Sequence, residues 1–295
     1  IQYRVDAMKR VGATLYGAFF YVDEASLEAA REWQATYGGI IGKDDPFVYG
    51  RDWYVDNKGR KFSKRIFDAY DYMIREWAPS MTHNLSVNGK AGKTSYNIGV
   101  GYLDQSGLIA PSKKDDFRRY NANARISTEI NKYVSVHGGF TYSMRNKRYA
   151  YSTSSTTADP WLYLYRWDTS YPMGYDDQGR DMRSPYNEMK NANIANKQNT
   201  YLSFNAGLTA NITKDWHVNI DYTYAQEDQV WKKNVTRFTM CDTWSAPSPR
   251  NNEDGTQMYV DNTGAVVSAG APGAMPAYQL DYRQYTANGN NPDHI

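Results

Sequence analysis

Residues 94–104 read TSYNIGVGYLD, and their reading decides the fold. Tyr96, Ile98, Val100 and Tyr102 alternate with Ser95, Asn97, Gly99 and Gly101. A period of two with bulky apolar groups on one side specifies a β-strand with one apolar face, because successive side chains leave a strand on opposite sides. The other face is small and polar. In a soluble sandwich the apolar face is the core; in a membrane barrel it meets lipid and the polar face lines the lumen. Repetition of the pattern decides between them.

Five further segments follow the same rule. Residues 82–88 set Leu85 and Val87 against Asn84, Ser86 and Asn88. Residues 118–130 set Tyr120, Ala122, Ala124 and Ile126 against Arg119, Asn121, Asn123 and Arg125. Residues 133–145 set Val134, Val136, Phe140, Tyr142 and Met144 against Ser135, His137, Thr141, Ser143 and Arg145. Residues 200–212 and 216–225 continue with Leu202, Phe204, Leu208, Val218, Ile220, Tyr222 and Tyr224 on the apolar side. Most of these are about 10 residues or longer, the length that crosses a bilayer at a tilt of ~45°. The connections at 89–93, 131–132 and 213–215 are short, whereas those at 105–117, 146–199 and beyond 226 are long. Short turns at one end and long loops at the other characterise outer-membrane barrels. Tyr102, Tyr120, Tyr133, Trp216 and Tyr224 are expected to form interfacial girdles. A secreted carbohydrate-binding β-sandwich stays open as an alternative, with Arg119, Arg125, Glu129 and Asp221 then facing solvent.

Before the strands, residues 14–21 are expected to form one strand. Ser26 is expected to cap a helix ended by Gly38-Gly39, and a second helix is expected over residues 67–77 with Tyr70, Met73, Ile74 and Trp77 on its apolar side. Three regions result: 1–81 as the barrel start with a helical loop, 82–230 as transmembrane strands with the long loop 146–199, and 231–295 as a loop region.

Composition bounds the function. With 34 basic and 32 acidic residues there is no polybasic field for nucleic acid. The 27 tyrosines suit surfaces apolar at one end and wet at the other. No apolar run approaches the ~20 residues of a spanning helix; the longest, residues 11–22, is broken by Gly12 and Gly17. The single Cys241 forms no internal disulfide, excludes a multi-cysteine metal cluster, and is expected to be a small loop residue. His83, His137, His217 and His294 lack metal-ligand spacing. His137 and His217 fall on the polar face as wall residues. Asp115-Asp116 lies in a loop, Asp176-Asp177-Gln178-Gly179 reads as a solvated turn, and Asp261-Asn262-Thr263-Gly264 as the turn of a hairpin. No catalytic constellation and no cofactor site emerges. The aromatic residues Trp161, Tyr163, Tyr165, Trp167, Tyr171, Trp231 and Trp244 crowd two loops. They either stack on sugar faces or pack the loops together and against a partner.

The run HNLSVNGKAGKTSYNIGVGYLDQSGLI, followed by FRRYNANARISTEINKY, resembles the SusC/RagA-type TonB-linked outer-membrane transporters of Gram-negative bacteria. The matching positions are His83, Asn84, Ser86, Val87, Gly89, Lys93, Thr94, Tyr96, Gly101, Tyr102, Gln105, Gly107, Arg119, Tyr120 and Asn121. Lys90 departs from the pattern, where a second glycine is usual. Asp52-Trp53 and Trp77-Ala78-Pro79-Ser80 resemble the family's lead-in, and the likeness covers about residues 45 to 230. The helical insertion at 23–37 is similar to that of glycan-importing members. The resemblance implies an all-β fold: a transmembrane antiparallel segment of a plugged barrel of about 22 strands. It implies active import of oligosaccharides, or of peptides, across the cell outer membrane, without enzymatic chemistry. It further implies a SusD-like surface lipoprotein as lid, and TonB–ExbB–ExbD engaging an N-terminal part. Because Ile1 is not an initiator and no leader, TonB box, plug or last strand is recognisable, those parts are expected to lie outside this chain. A passive porin is the further alternative.

Overall fold

The computed structural model describes residues 1–151, 160–234 and 236–286, so His294 lies outside the described residues. The chain opens with a helix where none is expected from the sequence: α1, Gln2–Arg10, has no side-chain cap and buries only Val5 and Met8. The expected strand at 14–21 is absent; isolated bridges from Tyr16 to Val22 and from Tyr21 to Phe62 stand in its place. Helix α2, Glu24–Tyr37, starts three residues earlier than a Ser26 cap implies. Asp23 is the cap, and Ser26 is the reciprocal partner of a capping box, with Ser26 N donating to Asp23 Oδ1 at 2.8 Å and Asp23 N donating to Ser26 Oγ at 2.8 Å. Gly38 ends the helix as expected.

A short antiparallel pair follows, β1 (Trp53–Val55) with β2 (Lys61–Ser63). The expected second helix shrinks to α3, Ala69–Met73, capped by Asp68. Its apolar side also shifts: Tyr72, Met73 and Ile74 are buried, whereas Tyr70 and Trp77 are exposed. Ile74 leaves the helix and bridges to Ile109, which pulls the chain out of helical geometry before Pro79.

Six long strands then pair in sequence order: β3 (Ser80–Ala91), β4 (Thr94–Ser106), β5 (Asp116–Glu129), β6 (Val134–Tyr151), β7 (Asn193–Asn211) and β8 (His217–Lys232). All are antiparallel to their neighbours. The alternation read from the sequence becomes continuous rows. One row of paired positions is Val87, Ile98, Ala124, Phe140, Phe204, Tyr224. The adjacent row on the opposite face is Asn88, Asn97, Arg125, Gly139, Asn205, Thr223. The apolar face is uncovered: Leu85, Ile98, Val100, Ile126, Phe204, Ile220 and Tyr222 are all exposed. The sheet is open, with β3 and β8 as its edges among the described residues.

The short turns are tighter than the sequence suggests. Ala91 pairs with Thr94, so only Gly92 and Lys93 turn the chain, and Gly92 adopts the positive φ of 59° that a two-residue hairpin demands. At the turn before β6, Asn131 Oδ1 accepts from the backbone N–H of Tyr133 and Val134. The strands also run further at their other ends, so Tyr224, expected at a girdle, instead sits in the middle of the apolar face opposite Phe204. Tyr102 and Tyr120 do lie side by side near the long-connection end, with ring centroids 5.0 Å apart.

The long connections are not loose. Between β6 and β7 come α4 (Pro160–Arg166) and α5 (Pro185–Asn191), the latter capped by Ser184. After β8 come β9 (Arg237–Cys241), β10 (Ser248–Pro249), β11 (Tyr259–Val260), β12 (Val266–Val267), β13 (Met275–Pro276), β14 (Tyr278–Gln279) and β15 (Tyr282–Thr286). β9 pairs with β15, β10 with β14, and β11 lies between β12 and β13. The hairpin expected over residues 258–267 is therefore present. Together with residues 1–79 these elements form a unit around Phe20, Phe47, Trp53, Met73, Met182 and Cys241. Of the six long strands only Ala150 enters that core. The hydrophobic core thus lies at one end of the sheet and not on its apolar face.

Lys61 pins this unit. It is buried, lies 5.1 Å from the Phe20 ring centre, and donates from Nζ to the carbonyls of Thr243 at 2.7 Å and Ser245 at 2.6 Å. Burial pushes its pKa from 10.5 down to about 8, with the Asp242 charge opposing the shift. Between those two values the unfolded chain holds a proton that the folded chain has released, so this group's contribution to stability rises with pH across that window. The stability of the wild-type chain relative to Lys61→Met is expected to grow from pH 8 to 10, by up to roughly 3 kcal/mol. Denaturant unfolding at matched pH values measures this, and a pH-independent difference would contradict it.

Candidate functional site

The polar face of β3–β8 is a wall of amides and hydroxyls. Gly101 pairs with Asn84 on one side and Asn121 on the other, and Gly99 pairs with Asn123. A Cβ on Gly99 would meet Asn123 Oδ1 at 2.7 Å, and one on Gly101 would meet Asn84 Oδ1 at 2.8 Å. Amides of neighbouring strands therefore lie over the small positions, giving a low and even surface. The Asn121 amide lies between two neighbours on this wall, its nitrogen donating to Ser143 Oγ at 3.0 Å and its oxygen accepting from Arg119 Nε at 3.1 Å.

The histidines fit the wall. His137, Gly207 and Asp221 occupy one row on β6, β7 and β8. With no side chain at Gly207 in the way, His137 Nε2 reaches across β7 to Asp221 Oδ1 at 2.7 Å. His217 stands in the row of Asn211 on this face, while His83 is on the other, stacked at 10° on Tyr102. Among the described residues no group of three or more His, Cys, Asp or Glu side chains could hold a metal ion.

The seven aromatic residues singled out in the sequence separate into three groups. Trp167 is buried, and its Nε1 donates to the Tyr171 carbonyl at 3.2 Å. Tyr171 packs on Trp167, Phe19 and Phe20, and Phe19 stacks on Trp244 with centroids 5.5 Å apart. Trp167, Tyr171 and Trp244 are thereby brought together as packing, with Tyr163 also against the core. Trp161 and Tyr165 are exposed on α4. Trp231 is apart from all of them, on the polar face of β8, with Lys233 Nζ 4.1 Å and Lys197 Nζ 5.7 Å from its ring centre.

Two features escape the sequence. Arg183 is sandwiched between Trp244 at 3.9 Å and Tyr285 at 4.1 Å, and its Nε donates to buried Glu188 at 3.2 Å. A cleft of about 500 Å³ is lined by Tyr49, Tyr54, Tyr278, Lys64, Asp56 and Asn57, among others. Burial pushes the Tyr49 and Tyr54 phenols up to about 12, so they remain protonated donors at any physiological pH. Three rings with convergent amide, ammonium and carboxylate groups make a ligand-sized cleft. Its local trace in the sequence is Tyr-Val-Asp-Asn at residues 54–57, all four of which line it.

Two expectations about single residues are corrected. Asp176 is not solvated: it is buried, accepting from the N–H groups of Gln178 and Arg180 and from Arg180 Nε. Cys241 is not in a loop but fully buried on β9, its Sγ 3.5 Å from Asp176 Oδ2. Burial and that carboxylate push the thiol pKa up, which leaves it inert as a nucleophile.

Family models give no match to the chain, and a comparison with curated proteins gives none either.

Proposed function

We propose that the chain is a wall segment of a TonB-dependent outer-membrane importer of oligosaccharides. The observation that carries this reading is the inverted polarity of the six-stranded meander. Its apolar face is uncovered and its polar face is a wall of amides, and the hydrophobic core sits beyond the strand ends. A bilayer is the solvent in which such a sheet is stable, provided further strands close both edges, since open edges do not survive in hydrocarbon. Those strands, with the plug, would complete a barrel of about 22 strands. The sequence resemblance supplies the rest of the proposal: a SusD-like lipoprotein as lid, and TonB–ExbB–ExbD displacing the plug. On this reading the unit built from the long connections is extracellular. Its tyrosine cleft and the exposed Trp161 and Tyr165 are then placed to meet sugars or the lipoprotein. A carbohydrate-binding sandwich is less well supported, because a second sheet would have to cover the apolar face. The other sheets among the described residues contain strands of five residues or fewer.

Detergent extraction tests the proposal. The complete protein is expected to stay in the outer-membrane fraction until detergent is added and to migrate differently on a gel before and after boiling. Full solubility without detergent would overturn it.

A further inference from the structure

At the long-connection end of the polar face, two adjacent rows break a rule of sheet electrostatics. In the first, Arg119 of β5 is paired directly with Arg145 of β6; in the second, Lys147 of β6 is paired directly with Lys197 of β7. Like charges directly opposite each other in an antiparallel pair are destabilising. The opposite face of the same strands provides the control. There Arg118 meets Asp104 at 3.1 Å and Arg148 meets Asp116 at 2.8 Å, each cation with a cross-strand carboxylate. Among the described residues no ion pair forms to Arg119, Arg145, Lys147 or Lys197. The nearest carboxylate by row on this face is Glu227, on β8 opposite Tyr201. Aromatic rings frame the four cations. Phe117 is paired with Lys147, Trp231 with Lys197, and Lys147 Nζ lies 5.4 Å from the centre of the Tyr149 ring. A ring under an ammonium orients it without neutralising it. Arg145 and Lys147 are exposed.

We infer that this block is a binding site for an anionic saccharide, one carrying carboxylate or sulfate groups on successive sugar units. The inference rests on the import reading and narrows its substrate class. Strands about 4.8 Å apart and same-face residues about 7 Å apart along a strand spread the four charges over a patch roughly 10 Å wide. Such a patch meets two neighbouring anionic units at once. The guanidinium groups of Arg119 and Arg145 offer forked donors to carboxylate or sulfate oxygens. Trp231, Phe117 and Tyr149 offer apolar faces to the sugar rings. The repulsion in the two like-charge pairs is relieved when the anion enters. The free wall is thereby primed for a negative ligand and indifferent to a neutral one.

The test uses the complete protein in detergent with two probes of equal length, an α-1,4-linked galacturonate hexamer and maltohexaose, titrated calorimetrically. The galacturonate probe is expected to bind at least tenfold more tightly at low salt and to weaken as salt is raised. Arg145→Gln with Lys197→Gln is expected to lower that affinity tenfold or more. Arg145→Lys with Lys197→Arg, which keeps the charge, is expected to retain most of it. Equal affinity for the two probes, or an unchanged affinity in the glutamine variant, overturns the inference and leaves the import reading standing. Binding of neither probe, with loss of a co-purifying lipoprotein in the glutamine variant, also overturns it, because the cations then serve a protein partner. Failure of the import reading is recognised separately, by solubility without detergent.

Discussion

Ile98→Arg is expected to cost about 2–4 kcal/mol of folding stability in a bilayer, read as loss of heat-modifiable, membrane-inserted protein. Ile98 is 47% exposed and stands in the row of Val87, Ala124, Phe140, Phe204 and Tyr224. A guanidinium there has no partner in its row and must be brought into hydrocarbon. In water the same substitution on the same uncovered face would cost little, since surface changes usually stay within ~0.5 kcal/mol. The lipid and solvent readings of the face therefore predict different outcomes from one substitution. Asn97→Arg, one residue away on the opposite face, is the control. It places a cation opposite Arg125 and costs roughly 1 kcal/mol or less through cross-strand repulsion. Equal insertion and folding of the two variants would show that the faces are assigned wrongly.

The fold was legible wherever one periodic constraint acted alone. Six strands and their faces follow from alternation, because every second residue of each strand sees the same medium. The strand ends were not legible, for the same reason. Residues 226–232 read Gln-Glu-Asp-Gln-Val-Trp-Lys and residues 196–199 read Asn-Lys-Gln-Asn, mostly polar on both faces, yet both are held by the β7–β8 ladder. Backbone pairing to a neighbour leaves no trace in side-chain pattern. Helix α1 was hidden because its cap position is Ile1 and only two of its residues are buried. Asp56, Asp176 and Asp261 each open an Asp-x-x-Gly turn that local chemistry announces. That Asp176 is buried follows from Phe47 and Cys241, which reach it from distant parts of the chain. The aromatic loops were legible as a cluster but not as a site. Their rings divide between packing, as at Tyr171, and exposure, as at Tyr165, according to contacts with Phe19 and Phe20 that the sequence keeps far away. The basic rows on the polar face needed the register, which alternation alone does not supply.

Asp52→Ala is expected to cost about 3–5 kcal/mol in the unit beyond the strand ends, the amount lost when one partner of a buried ion pair is deleted. The side chain is fully buried. Its Oδ1 accepts from Trp33 Nε1 at 2.8 Å and from Arg51 Nε at 3.0 Å, and its Oδ2 accepts from Val48 N and from a terminal nitrogen of Arg51, both at 2.8 Å. Its carbonyl accepts from Lys64 N at 2.7 Å and Arg65 N at 3.1 Å. One residue therefore joins α2, the turn at 48–53 and the exit from β2. Arg65 lies 4.0 Å away with only 4% of its side chain exposed, stacked over Phe67 and donating to the carbonyls of Gly42, Asp45 and Pro46. Removal of the carboxylate strands the indole and backbone donors, leaves the buried Arg65 charge without its nearby counter-ion, and takes the paired carboxylate from the half-buried Arg51. Asp52→Asn keeps the shape but turns an NH2 toward donors, so it should fall between wild type and alanine. Limited proteolysis of the complete protein reads the effect. Cleavage within residues 23–66 should accelerate in Asp52→Ala while the heat-modifiable barrel band persists. A cleavage rate equal to wild type would mean that Trp33 and the two arginines are held by their other contacts, and that this carboxylate is not what ties the segments together.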